Sequence, residues 1–249
     1  MRARLSVPSG RLRDMDVTIR RARDEELDEV GEFTAAVYIG DGLLDFGAED
    51  PYIEDLRDAR KRAAGSEVLV AADAESDAVL GALAFAVHGG PYAELAGPDE
   101  AEFRMLAVRP EARRRGAAEA LVRACMDRTR ELGLGGMVLS THPRMTTAHR
   151  LYERLGFRRA PERDWEPIPG ITLWGGHSPW TYDRSRHRSQ PRSRRAAVNA
   201  AYEASRAACS RASGTTSRPG RTIAAALAVR SAWRVPEAAS RAAPKAVSA

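Results

Sequence analysis

The 249-residue chain reads as an α/β protein in which strands and helices alternate about one sheet. Three features predict this class. Two apolar, β-prone runs at residues 67–72 and 79–87 flank a polar stretch at 73–78, as in an antiparallel hairpin. The run 102–108 leads through a cationic turn into an amphipathic helix. Farther on, Ala148, Leu151, Tyr152 and Leu155 fall at i, i+3, i+4 and i+7, one stripe of a helix.

Taken in order, residues 16–22 form a strand and 24–39 a helix with Asp24 as N-cap. A second helix covers 52–64, followed by the hairpin and the strand 102–108. The long helix 115–132 closes at Gly133, 137–141 is a buried strand, and 146–155 is the last firm helix, with Thr146 and Thr147 available as caps and Gly156 at its exit. Residues 157–160 form another strand, Phe157 being a core aromatic, and 171–174 begin a final one.

Charge divides the chain. Residues 184–249 hold thirteen Arg and one Lys against two Glu, a net of +12, which leaves −7 for residues 1–183. We therefore expect a flexible extension at 1–14, an acidic folded domain at 15–183, and a basic Arg/Ala/Ser-rich tail at 184–249 too poor in large apolar residues to fold alone. Only Lys61 and Lys245 are lysines, which points to GC-rich coding DNA and to a frameshift product as one origin of the tail. By charge alone the tail admits a nucleic-acid-binding reading, but no aromatic stacking set or zinc pattern accompanies it, so nucleic acid is not an expected partner. No signal-peptide core, membrane span or disulfide framework is indicated: Cys125 lies on the long helix and Cys209 in the tail. The expectation is a cytoplasmic protein without metal, with a homodimer left open.

The chemistry concentrates between Phe103 and Cys125. Arg113, Gly116 and Ala118 make the pattern R-x-x-G-x-A, with Arg114, Arg115 and Ala117 between them, where a strand gives way to a helix. Small residues at a helix start leave unpaired amides open to an anion, and the arginines add charge around phosphate oxygens. With Val108 and Pro110 the stretch resembles the acyl-coenzyme A signature of the GNAT superfamily of N-acetyltransferases, V-x-P-x-x-[RQ]-x-x-G-x-[GA]. Residues 148–157 are similar to that family's second signature, A-x-x-L-Y-x-x-L-G-F. Met145 stands where many members carry Asn, which puts one pantetheine or phosphate hydrogen bond in question.

The resemblance covers residues 16–174 and implies a mixed, mostly antiparallel sheet splayed between its fourth and fifth strands. It also implies acetyl-CoA as co-substrate, phosphates at Arg113–Ala118, and the pantetheine arm along the backbone of Leu106, Ala107 and Val108. Acetyl would pass directly to an amine of a small molecule or peptide. An amine is protonated near neutral pH and needs a base. Glu102 is the candidate, its alternative being an exposed strand-edge carboxylate, with Glu94 and Asp99 as competitors. Tyr152 would protonate the leaving thiolate. Residues 38–50 and 88–99, rich in Gly and acids, suit a mobile rim that selects a cationic amine. His88, His142 and His149 read as bystanders, Ser140 lacks a G-x-S-x-G turn, and Trp165, Trp174 and Trp180 suit packing over the sheet edge. A non-catalytic acyl-CoA sensor is the competing function.

Overall fold

A computed structural model describes residues 17–179; the expected extension 1–14, the tail 184–249, Trp180 and Cys209 lie outside the described residues. The sheet comprises β1 (Val17–Arg21), β2 (Glu67–Asp73), β3 (Val79–Val87), β4 (Glu100–Val108), β5 (Gly136–Thr141), β6 (Arg158–Arg159), β7 (Trp165–Ile168) and β8 (Ile171–Pro179). Their order is β1-β2-β3-β4-β5-β8-β6, with β7 also on β8. Every pairing is antiparallel except β4 with β5. The helices are α1 (Leu27–Gly40), α2 (Tyr52–Arg57), α3 (Ala59–Gly65), α4 (Ala117–Glu131) and α5 (Thr146–Arg154). This is the mixed, mostly antiparallel α/β architecture expected.

Helices cover both faces, and so the central strands lose the polar alternation of a half-exposed sheet. Eight of the nine residues of β3 are buried. On one face α4 packs Leu121, Val122 and Cys125, all fully buried, against Leu83, Phe85, Phe103 and Met137. Burial pushes the Cys125 thiol pKa up, which leaves an inert reduced thiol. On the other face α1 sets Val30, Phe33 and Val37 against Val68, Val70 and Ala107.

Three local expectations are corrected. Asp24 opens a 3-10 turn instead of capping α1; the Glu26 carboxylate accepts from the Arg23 amide at 2.7 Å there. The helix expected at 52–64 breaks at Asp58, which leaves helical geometry (φ −79°, ψ 68°) and caps α3 by accepting from the Lys61 amide at 2.8 Å. Neither Thr146 nor Thr147 caps α5, whose N-cap is Met145 without a side-chain bond. Strand β7 was not expected; Gly170 (φ 86°) turns it back into β8.

The joint between α1 and α2 depends on one missing side chain. A Cβ on Gly31 would stand 1.7 Å from the Arg57 carbonyl oxygen, so backbone meets backbone there. Gly31→Ala is expected to destabilise the fold by about 2 kcal/mol, as overpacking does where nothing flexible can yield. Urea unfolding would show a lowered midpoint at unchanged slope.

Candidate functional site

The site lies where β4 and β5 part. Their parallel pairing ends at Phe103 and Leu139, while β4 continues along β3 to Val108. Just past the fork Met105 takes a left-handed conformation (φ 55°), and Met105 and Leu106 together oppose Leu83, which makes a β-bulge. The bulge bends β4 away, and the buried Met105 side chain is held among Ala35, Leu44, Ile53 and Leu56. The resulting gap is the splay expected between the fourth and fifth strands.

Antiparallel strands point alternate backbone groups at each neighbour. The Arg109 amide donates to the Leu80 carbonyl at 2.9 Å, and by that parity Ala107 also turns toward β3. Of the three backbone positions expected to carry the pantetheine arm, Leu106 and Val108 therefore front the gap and Ala107 does not; its side chain packs toward α1 instead.

Beyond β4, residues Pro110–Ala112 make a 3-10 turn, Arg114 (φ 63°) and Gly116 (φ 80°) adopt left-handed conformations, and α4 begins at Ala117. The first amide donating into the helix is Ala120, to the Gly116 carbonyl at 2.9 Å. Consequently the amides of Arg114, Arg115, Gly116, Ala117, Ala118 and Glu119 bond to no described acceptor. Six consecutive free donors at the positive end of a fifteen-residue helix fit a pyrophosphate. The arginine side chains behave less uniformly than expected. Arg113 donates to both oxygens of Asp41 at 2.8 Å and Arg115 to Asp73 at 2.5 Å, so both charges are already countered; Arg114 is exposed and enters no ion pair among the described residues.

Tyr152, on α5, is buried, with its ring 5.6 Å from Phe103 and 6.0 Å from Phe157 in tilted and edge-on contacts. Its hydroxyl bonds to no described group, and burial raises the phenol pKa well above its ordinary value, so it stays protonated. Where Asn was missed, Met145 lends only a thioether, which accepts weakly from the Thr141 hydroxyl at 3.5 Å.

Glu102 is no exposed edge carboxylate: it is fully buried on the central strand β4. Its Oε2 accepts from the amides of Leu95 and Ala96 at 2.7 and 3.2 Å. Its Oε1 has no hydrogen-bond partner among the described residues. Burial raises the carboxyl pKa, against the pull of Arg104 and the two amides. The rival acids stand differently: Glu94 is exposed and accepts from Arg104 Nη1 at 3.2 Å, and the Asp99 carbonyl holds the Gly135 amide at 2.8 Å.

The rim is more tightly tied than a mobile loop requires. His88 Nδ1 contacts the Ala96 carbonyl at 2.7 Å, and the Gly97 amide donates to Glu100 at 2.8 Å. Asp45, between α1 and α2, reaches across to Arg144 and to His142 at 3.4 Å. The expected packing tryptophans line the β5 side: Trp165 donates to the Ser140 hydroxyl at 3.0 Å, and Trp174 stacks on His149 at 5.4 Å.

Sequence reasoning missed Arg104 altogether. Period-2 alternation puts Glu102 and Arg104 on the same face of β4, and a polar pair on the buried face of a central strand was the available signal. That face looks toward α1, α2 and the phenols of Tyr38 and Tyr52, whose pKa values burial drives up.

Residues 37–157 match the model of the acetyltransferase (GNAT) family. Over 104 residues the chain is 34% identical to an uncharacterised N-acetyltransferase of Schizosaccharomyces pombe; the match takes in 42% of this chain, which spans 59% of the length of that relative. In fold it resembles a GCN5-related N-acetyltransferase of Kribbella flavida (TM-score 0.50, 25% identity) and a GNAT-family acetyltransferase of Staphylococcus aureus (TM-score 0.51, 14% identity). Each of these two covers 66% of this chain, which spans 98% of each. Among the described residues no helix is long and apolar enough to cross a membrane, and no cluster of His, Cys, Asp or Glu is arranged to hold a metal.

Proposed function

We propose, on the premise that residues 37–157 belong to the GNAT acetyltransferase family, that this protein transfers an acetyl group from acetyl-CoA directly to a primary amine. The observation that carries the reading is the row of free amides from Arg114 to Glu119 beside the β4–β5 gap. The row suits a diphosphate, and the gap offers the Leu106 and Val108 backbones to an extended amide-bearing arm. When bound, acetyl-CoA supplies the acetyl group as an activated thioester.

The chain's own residues supply the rest. Glu102 Oε1, the unpartnered oxygen at the fork, takes the proton of the incoming ammonium, directly or through one water. The freed nitrogen lone pair attacks the carbonyl carbon; a C–N bond forms as the C–S bond breaks, and the nitrogen sheds its second proton to solvent, from which the Tyr152 phenol is later restored. An amide on β4 at the gap steadies the charge that develops on the carbonyl oxygen. Tyr152 gives its proton to the departing thiolate, and the high phenol pKa keeps that proton available across the neutral range. The tail 184–249 has no part in this scheme.

Following free coenzyme A release over a panel of amines tests the reading. Turnover with at least one amine is expected, and Tyr152→Phe is expected to lower kcat by about 100-fold, the usual weight of a general acid, with acetyl-CoA affinity unchanged. Binding without turnover on any amine would make the protein an acyl-CoA sensor, and unaltered kcat in the variant would remove Tyr152 from the chemistry.

A further inference from the structure

Three properties of the fork specify the acceptor beyond its being an amine. First, Arg104 is the first residue of β4 past the last β4–β5 pair, where the gap opens. Second, its donors are largely unspent. A guanidinium carries five N–H groups in a rigid fork. Glu94 takes one at 3.2 Å, and the neighbouring Tyr52 phenol can take at most another. Its side chain is 15% exposed, so solute can reach it. Arg62, the other cation on this face, offers nothing comparable: it is buried and donates to the Asp55 and Leu56 carbonyls at 2.7 and 2.9 Å.

Third, the unpartnered Glu102 Oε1 lies 3.9 Å from Arg104 Nε. That separation is too long for a hydrogen bond between them and leaves two adjacent, opposite demands. One is a carboxylate oxygen in need of a donor; the other is a guanidinium in need of an acceptor. An amine alone meets only the first demand. A molecule carrying an amino group and a carboxylate on the same carbon meets both at this spacing, whereas a chain of several methylenes between them would overshoot.

We propose that the acceptor is an α-amino acid, its amine deprotonated by Glu102 and its carboxylate held by the free edge of the Arg104 guanidinium, beside Tyr38 and Tyr52. This deepens the acetyl-transfer reading and rests on it. The covalent step is the one already written: one proton passes from the ammonium to Glu102, C–N forms, C–S breaks, the nitrogen's second proton leaves to solvent, and the acceptor's carboxylate stays unreacted as an anchor. Arg104 is here a specificity residue. Desolvation pulls the pKa of the half-buried guanidinium down, but the Glu102 and Glu94 carboxylates help hold it above the ordinary value, so it keeps its charge.

The test uses the full chain and matched acceptors: α-amino acids, their decarboxylated amines, their carboxamides, and ω-amino acids such as 4-aminobutyrate. Expected is a kcat/KM at least tenfold higher for some α-amino acid than for its decarboxylated and amidated counterparts. Calorimetric titration of that amino acid without acetyl-CoA should show the same order of affinity. Arg104→Gln should collapse the amino acid to amine ratio to near one through KM, while Arg104→Lys, which keeps the charge but loses the planar fork, should restore it only in part. Equal or better turnover of amines lacking the carboxylate, or a ratio unmoved by Arg104→Gln in folded protein, overturns the proposal while leaving acetyl transfer standing. Absence of turnover with every acceptor would sink acetyl transfer itself.

Discussion

Gly116→Val is expected to weaken acetyl-CoA binding by about 100-fold while the protein keeps its fold. The position has φ 80°, a conformation in which a side chain's Cβ crowds the neighbouring carbonyl, and a β-branched residue is the least tolerant of it. To relieve the clash the loop must rotate between Arg115 and Ala117, which turns part of the amide row away from a common centre. Losing a few of six converging donors and part of the helix-end field amounts to about 2.7 kcal/mol, the equivalent of two decades in Kd. Isothermal titration with acetyl-CoA gives the number, and circular dichroism shows whether α4 survives. Gly116→Ala, strained in backbone but narrow, should fall between. Binding by the valine variant within threefold of wild type would mean that the phosphates dock elsewhere.

The turn ahead of α4 was legible because its geometry is local. A left-handed glycine, a small first turn and a helix start occupy consecutive positions, so a window of a few residues contains the whole device. The amphipathic stripe of α5 was readable for the same reason. What escaped depended on contacts between distant segments. The break at Asp58 follows from how α2 and α3 meet α1, where Gly31 lets the Arg57 carbonyl approach. Glu102 had two opposite readings in sequence, exposed edge or poised base, and only the pairing of β4 on both sides decided that it is buried. Arg113 and Arg115 looked like phosphate clamps, yet Asp41 and Asp73, 72 and 42 residues away, hold their side chains. At this turn the backbone amides, and not the side chains of Arg113 and Arg115, are thus what is left open to an anion.

Glu102→Gln separates a carboxylate kept for catalysis from one kept for structure, because the two roles move activity and stability in opposite directions. In the wild type burial raises the pKa of this acid above its unfolded value. The folded state thus holds the proton to higher pH than the unfolded chain does, and the stability it contributes is complete below the unfolded pKa and lost as pH rises through the folded one. Glutamine never ionises, and its carbonyl can accept from Leu95 and Ala96 as Oε2 does. The variant should therefore melt about 3 °C higher than wild type at pH 8, a shift of the size that roughly 1 kcal/mol gives a domain of this length, with the gap closing by pH 4. Activity should go the other way. A lost general base lowers kcat/KM by about 100- to 10,000-fold and removes the acidic limb of the pH–rate profile, the limb that reports deprotonation of Glu102 in the free enzyme. Greater stability together with lost turnover is the signature of a charge buried for function. A variant that melts lower at pH 8 and still turns over at the wild-type rate would reassign Glu102 to holding the loop at residues 95–96, and the search for the base would pass to Glu94.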